Sequence, residues 1–231
     1  MKIEYGKALI EFDVIYRKRK TMEISVHPDM SVVIKAPAGT TDDKIISKVK
    51  KRAGWIIKQK KFFEQFMPRQ PQKQYINGES HKYLGKNYRL MIGQGNTKEL
   101  KLVSGVLKVR LHDVNDRKSV EKIIYDWYRP KAYEHFSEIL ENRWKAEFEK
   151  HIKPKIVVKK MRTRWGSLSE NGILTLNIEL IKAPRECIDY VIVHELCHLV
   201  HRNHDNRFYK LLDQLFPNWK KVKNKLEMIN N

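Results

Sequence analysis

Between Pro184 and His198 the chain carries its most restrictive stretch: Ile188, Tyr190, Val191, Ile192 and Val193 make a helix so densely apolar that it has to be buried. The same stretch ends in His194-Glu195-Leu196-Cys197-His198. Ionisable side chains inside an apolar helix need hydrogen bonds or a shared ligand to offset the cost of burial. Two histidines four residues apart stand on one face of a helix, where their imidazoles can converge on one tetrahedral ion. The intervening Glu195 then lies within reach of a water at that ion. The competing reading is a pair of core histidines hydrogen-bonded within the fold.

A third histidine sharpens the pattern. His204 follows His198 by six residues, giving His-Glu-x-x-His-x-x-x-x-x-His. Three neutral imidazoles and one open position form a recurrent catalytic zinc site. An unbroken helix would carry His204 about 120° around the axis from His198, so the helix has to stop first. Asn203, which tolerates the left-handed conformation, is the expected stop. His201 is the rival third ligand, nearly on the face of His194, but three ligands strung along about two turns converge poorly on a small ion. The expected set is therefore zinc on His194, His198 and His204. Zinc acidifies a water and polarises a scissile carbonyl, while Glu195, the catalytic base, takes the proton and passes it to the departing amine.

The rest of the 231 residues reads as α+β. Residues 8–16, 22–27 and 31–35 alternate as strands of a small meander, broken by Ala36-Pro37-Ala38-Gly39. Thr40 or Thr41 caps a helix running to about Phe66, with Ile45, Ile46, Val49, Ala53, Ile56 and Ile57 on its apolar face. Residues 67–74, with two prolines, read as a linker, which places an N-terminal sheet-and-helix region at 1–74 and a second region at 75–231. Strands follow at 88–92, 100–103 and 106–110. From 116 to 150 the pattern is helical, with Pro130 expected to kink or divide it. Asn171-Gly172 turns a hairpin between residues 164–167 and 173–177. Phe208, Leu211, Leu212 and Leu215 precede Pro217, and Trp219, Val222 and Leu226 mark a terminal helix. No internal repeat is visible.

With 47 Lys and Arg against 27 Asp and Glu, the formal charge is +20, which draws polyanions without naming one. No run approaches the roughly 20 apolar residues of a membrane span, and the start lacks a secretory core, so a cytoplasmic protein without a membrane partner is expected. Cys187 and Cys197 match no zinc or redox spacing, and an inert, protonated thiol suits the apolar setting of Cys197. Arg17-Lys18-Arg19-Lys20 and the basic residues Lys48, Lys50, Lys51, Arg52, Lys58, Lys60 and Lys61 form either a solvated face or, with Trp55, Phe62 and Phe63 among them, a nucleic-acid surface. Arg164 and Trp165 either line a substrate cleft or pack and pair within the hairpin. Asp189 and Tyr190, one turn before His194, read as supporting residues.

Arg164-Trp165-Gly166-Ser167, Gly172 to Asn177, Pro184, Ile188 to Leu199 and Asn203-His204 to Phe208 resemble, in order and spacing, the YgjP-like family of zinc metallopeptidases. That family is similar in its core to the SprT and WLM proteases and to small gluzincins. Weaker agreement extends forward through residues 17–21, Ala36-Pro37, Trp55-Ile56 and Tyr83-Leu84-Gly85. The resemblance implies His194, His198 and His204 as zinc ligands, Glu195 as general base, and a zincin-like core in which a strand beside the active-site helix pairs with an extended peptide. The hairpin from Ile156 to Asn177 is the candidate for that strand. The resemblance to SprT and WLM proteases further implies recruitment to nucleic-acid-associated proteins through the basic N-terminal region. A metzincin is not implied, since His201 stands where its glycine would be. The alternative to a peptidase is a noncatalytic nucleic-acid-binding protein with a structural metal.

Overall fold

A computed structural model describes residues 1–229 apart from 7, 20, 28, 65–72 and 163. Lys20 of the basic run, the side chain of Phe62, the expected helix end at Phe66 and most of the expected linker lie outside the described residues. The chain divides into two compact units, residues 1–71 and 72–230.

In the first unit, β1 (Lys2–Tyr5) and β2 (Ala8–Glu11) form an antiparallel hairpin. The next strands are β3 (Asp13–Arg17), β4 (Glu23–Val26) and β5 (Val32–Pro37), in the order β3-β5-β4, with β3 parallel and β4 antiparallel to β5. The expected meander is therefore incorrect on two counts. Residues 8–16 are two strands in different sheets, parted at Phe12, whose N–H and C=O both bond to Met1 at 2.8 Å. Ile10, Phe12 and Val14 all turn inward, so the alternation runs straight through the break. Helix α1 (Asp42–Glu64) closes the core by burying Ile45, Val49, Ala53 and Ile56 against Ile10, Phe12, Val32 and Ile34.

The second unit opens with β6 (Ser80–Tyr83), β7 (Lys86–Gln94), β8 (Glu99–Val103) and β9 (Val106–Leu111), ordered β6-β7-β9-β8 with β7 parallel to β9. Helix α2 (Arg117–Arg143) continues through Pro130 undivided and ends in a π-helical turn (Trp144–Phe148). Pro130 and Asp126 both face solvent, so water can take the Asp126 carbonyl that the missing N–H frees. Then come β10 (Lys155–Lys159), β11 (Gly166–Leu168) and β12 (Ile173–Asn177), ordered β10-β12-β11, with Gly172 supplying a φ of +69° in the hairpin turn. A 3₁₀ turn (Ile178–Lys182) leads into α3 (Arg185–Cys197), followed by α4 (Asn206–Leu215) and α5 (Trp219–Glu227).

One topology recurs three times without a sequence repeat. In β3-β4-β5, β7-β8-β9 and β10-β11-β12 the third strand is central, parallel to the first and antiparallel to the second, and a helix comes next.

Helix α3 is buried nearly all round, as its composition requires. Its start is set by the β6–β7 turn, where Leu84 and Gly85 donate N–H bonds to the carbonyls of Ile181 and Lys182 at 2.9 and 3.1 Å. Gly85, at a φ of +78°, lies against Pro184 so closely that a Cβ would stand 2.8 Å from Pro184 Cγ. Its outer face is held by Arg143, which donates to both Asp189 oxygens at 2.7 and 2.6 Å.

Candidate metal centre

The last two turns of α3 carry His194, Glu195 and His198, and the helix stops at Cys197 with His198 as its cap. The expected stop at Asn203 is wrong. The N–H groups of His198, Leu199 and Val200 each reach back three residues, a tightening that ends the helix without any left-handed residue. The chain then turns through 199–204 and is caught by Asp205, whose Oδ1 accepts the N–H groups of Arg207 and Phe208 at 3.0 Å each and starts α4. His204, immediately before that cap, is thereby swung back over α3.

The three imidazoles converge. His194 Nε2 and His204 Nε2 lie 3.0 Å apart, and one ring nitrogen from each of His194, His198 and His204 falls within 4.8 Å of the others. Nitrogens on one tetrahedral ion, each about 2.0–2.1 Å from it, stand roughly 3.3 Å apart, so the trio brackets the spacing a metal demands. His198 Nδ1 donates to the carbonyl oxygen of His201 at 3.0 Å. A carbonyl only accepts, so Nδ1 is the donor, and in the neutral ring it is Nε2 that offers a lone pair to the centre. His201 thus serves through its backbone, and its imidazole is outside the cluster.

Beneath the trio lies Phe208, fully buried, with its ring centroid 5.0, 4.7 and 4.6 Å from those of His194, His198 and His204. Burial, helped by the neighbouring imidazoles, pushes His194 down to about 3, and burial likewise lowers His204. Both rings are held neutral, the form that binds metal. Among the described residues no fourth His, Cys, Asp or Glu joins the cluster, so the donor set leaves coordination open.

Glu195 is buried, and burial raises its carboxyl to about 7 against the opposing pull of the Leu168 N–H bond and the Arg164 charge. Gly166 admits it: a Cβ there would stand 2.9 Å from Glu195 Cγ and 3.0 Å from Oε1. Cys197 is pushed up to about 12 by burial and stays a thiol.

The trio and Glu195 open into a cleft of about 1110 Å³, walled by β11 and residues 169–172 on one side and by Lys150, His151 and Ile152 on another. Strand β11 is an edge. Trp165 C=O accepts from Asn177 at 2.8 Å and Ser169 N–H donates to Ile173 at 3.0 Å, so those residues turn toward β12. By alternation Gly166 and Leu168 turn their backbone groups the other way, onto the free edge. Arg164 also lines the cleft. Its loop is fixed by buried Asn177, whose Nδ2 donates to the carbonyls of Met161 and Arg164 at 3.0 Å and whose Oδ1 accepts from the N–H groups of Met161 and Glu179 at 3.2 Å. Asp189 is bound to Arg143, and Tyr190 packs beside His194 with ring centroids 5.9 Å apart.

Sequence reasoning gave no role to Asn177, Asp205, Phe208 or the His201 carbonyl. Asp205 carried a readable signal, an acidic cap before the amphipathic run that Phe208 opens.

A family model described as YgjP-like, metallopeptidase domain, matches residues 20–228. Among solved structures the chain is similar to the metallopeptidase zymogen of Pyrococcus abyssi abylysin, at 20% identity over 39% of this chain and 90% of that one, with a TM-score of 0.37. No curated protein matches the chain.

Proposed function

Because the chain belongs to the YgjP-like metallopeptidase family, we propose that it is a zinc-dependent peptidase whose metal is held by His194, His198 and His204. The observation that carries this reading is the approach of three imidazole nitrogens to within 4.8 Å of one another, with Glu195 on the same helix and a cleft in front. A set of three imidazole nitrogens suits zinc among the first-row ions without being exclusive to it. Zinc, when bound, supplies a Lewis acid that polarises the scissile carbonyl and acidifies water.

The chain's own residues do the rest. Glu195, steered by the Leu168 N–H, accepts the proton of the attacking water and returns it to the departing amine. The Gly166 backbone and the Leu168 carbonyl, on the free edge of β11, receive an extended peptide as an added strand. Asn177 keeps Arg164 at the mouth, where its charge faces the carbonyl oxygen as negative charge grows there. The test is cleavage of casein by the zinc-loaded protein and by Glu195→Gln: the variant should retain zinc and lose turnover, and full activity in it would remove Glu195 from the mechanism.

Lys48, Lys51, Arg52 and Trp55 share one face of α1, and Trp55 is 40% exposed rather than packed. A basic stripe with an open aromatic suits single-stranded nucleic acid, which would bring nucleic-acid-associated proteins to the peptidase. Binding across a salt titration that is no tighter than that of an unrelated protein of equal charge would overturn this reading.

A further inference from the structure

Besides β11, the main cleft has a second wall, a loop that the peptidase chemistry leaves unused. The π-helical turn at Trp144–Phe148, a distortion frequent at functional sites, delivers the chain to Lys150, His151 and Ile152 on that wall. The loop is pinned throughout. Trp144 Nε1 donates to the carbonyl oxygen of His151 at 3.0 Å, the His151 N–H donates to that of Phe148 at 2.9 Å, and Phe148 and Pro154 on either side are buried. Lys153 pairs with Glu141. The Lys155 N–H donates to the Gly172 carbonyl oxygen at 2.8 Å, which sets the loop beside the β11–β12 turn, beyond the Leu168 end of β11. Ile152 is nevertheless 89% exposed. Scattered apolar side chains on a surface need no explanation, but this one is held out on a fixed loop at the wall of the cleft.

We propose that Lys150 and Ile152 form a lip that grips the substrate and selects acidic side chains on one flank of the scissile bond, the flank that leaves the metal centre past Leu168. This rests on the peptidase reading and adds its specificity. A peptide added along β11 meets Glu195 near Leu168, whose N–H that carboxyl group accepts, so the residues beyond run between the β11–β12 turn and the loop. Ile152 covers the strand there. Lys150 supplies the charge. Of the other charged groups lining the cleft, Glu170 and Arg202 pair with each other at 2.5 Å and Arg164 acts on Glu195, which leaves Lys150, among the described residues, as the cation with no ion-pair partner. Its acidic neighbour Glu149 does not line the cleft. A carboxylate on the substrate completes the balance, and a further cation upsets it. Because the loop is already fixed, gripping a peptide costs little ordering.

The test is cut-site mapping of a denatured proteome digested by the zinc-loaded full-length protein. Asp and Glu should be enriched about threefold to fivefold on one flank of the cut and not on the other, the worth of an exposed ion pair, and the enrichment should shrink as salt is added. Lys150→Glu should reverse it toward Lys and Arg. Ile152→Ser should raise the KM for casein about tenfold with kcat and the urea midpoint unchanged, because the side chain touches peptide and not the fold. No charge preference on either flank, a preference that survives in Lys150→Glu, or a wild-type KM in Ile152→Ser would overturn the inference. Anisotropy of labelled Glu-rich and Lys-rich peptides on zinc-loaded Glu195→Gln separates it from the parent reading. Glu-selective binding that Lys150→Glu reverses, without cleavage by the wild type, would sink the peptidase and leave the lip standing, and cleavage indifferent to both substitutions would do the reverse.

Discussion

Residue 166 comes so near Glu195 that the only side chain fitting between β11 and α3 is a hydrogen atom: a Cβ would stand 2.9 Å from Glu195 Cγ and 3.1 Å from Val191 Cγ1. Gly166→Ala should therefore displace the carboxylate without touching the imidazoles. We expect kcat to fall about 100-fold with zinc content unchanged, since a misplacement of about 1 Å is enough for such a loss. Elemental analysis beside steady-state kinetics checks it, and a variant of normal kcat would show that the base tolerates the shift.

Phe208 packs against all three imidazoles, so its removal should be felt in both stability and metal affinity. Phe208→Ala is expected to cost about 3–5 kcal/mol in urea unfolding of the metal-free protein. Zinc should also be released at a lower chelator concentration, because the rings lose the platform that orients them. Phe208→Leu should recover much of the stability and less of the affinity.

Asn177 makes four hydrogen bonds while only 3% exposed. Asn177→Ala leaves buried backbone groups unpaired at about 1–3 kcal/mol each. A lowered urea midpoint with an unchanged slope is expected, together with a kcat loss that Asn177→Asp does not rescue, because the carboxylate cannot donate to the carbonyls of Met161 and Arg164.

His81 gives the pH dependence a sign. It is 3% exposed, and burial lowers it below its ordinary 6.5 even though Glu79, 3.0 Å away, opposes the shift. Its folded form binds a proton less readily than its unfolded form. The stability it contributes is therefore present above pH 6.5 and lost as pH falls through the interval below. Comparing unfolding free energies of wild type and His81→Gln between about pH 7 and pH 5 should show a shallower acid loss in the variant; equal slopes would mean that His81 titrates alike in both states.

What could be read from sequence follows a physical line. Spacing along one helix fixes which side chains share a face, and so the adjacency of His194 and His198 and the buried row of Ile45, Val49, Ala53 and Ile56 were legible. Alternation along a strand gives its inward face but not its neighbour. That is why β3 beside β5 was missed, and why a break at Phe12 left no trace in the pattern. Helix α3 ended six residues before Asn203 because backbone bonds reaching back three residues closed it, a feature no residue type announces. The His201 carbonyl and the Asn177 clamp are likewise backbone partnerships across a turn or a loop.

We propose that His194, His198 and His204 grip one zinc ion. Zinc content of the purified, dialysed protein and of His204→Ala, measured by elemental mass spectrometry at matched circular dichroism, tests it directly. The expected result is one zinc per chain in the wild type and a loss of most of it in the variant. A wild type that takes up no zinc when offered it, or a variant that holds it equally well, would rule out this ligand set.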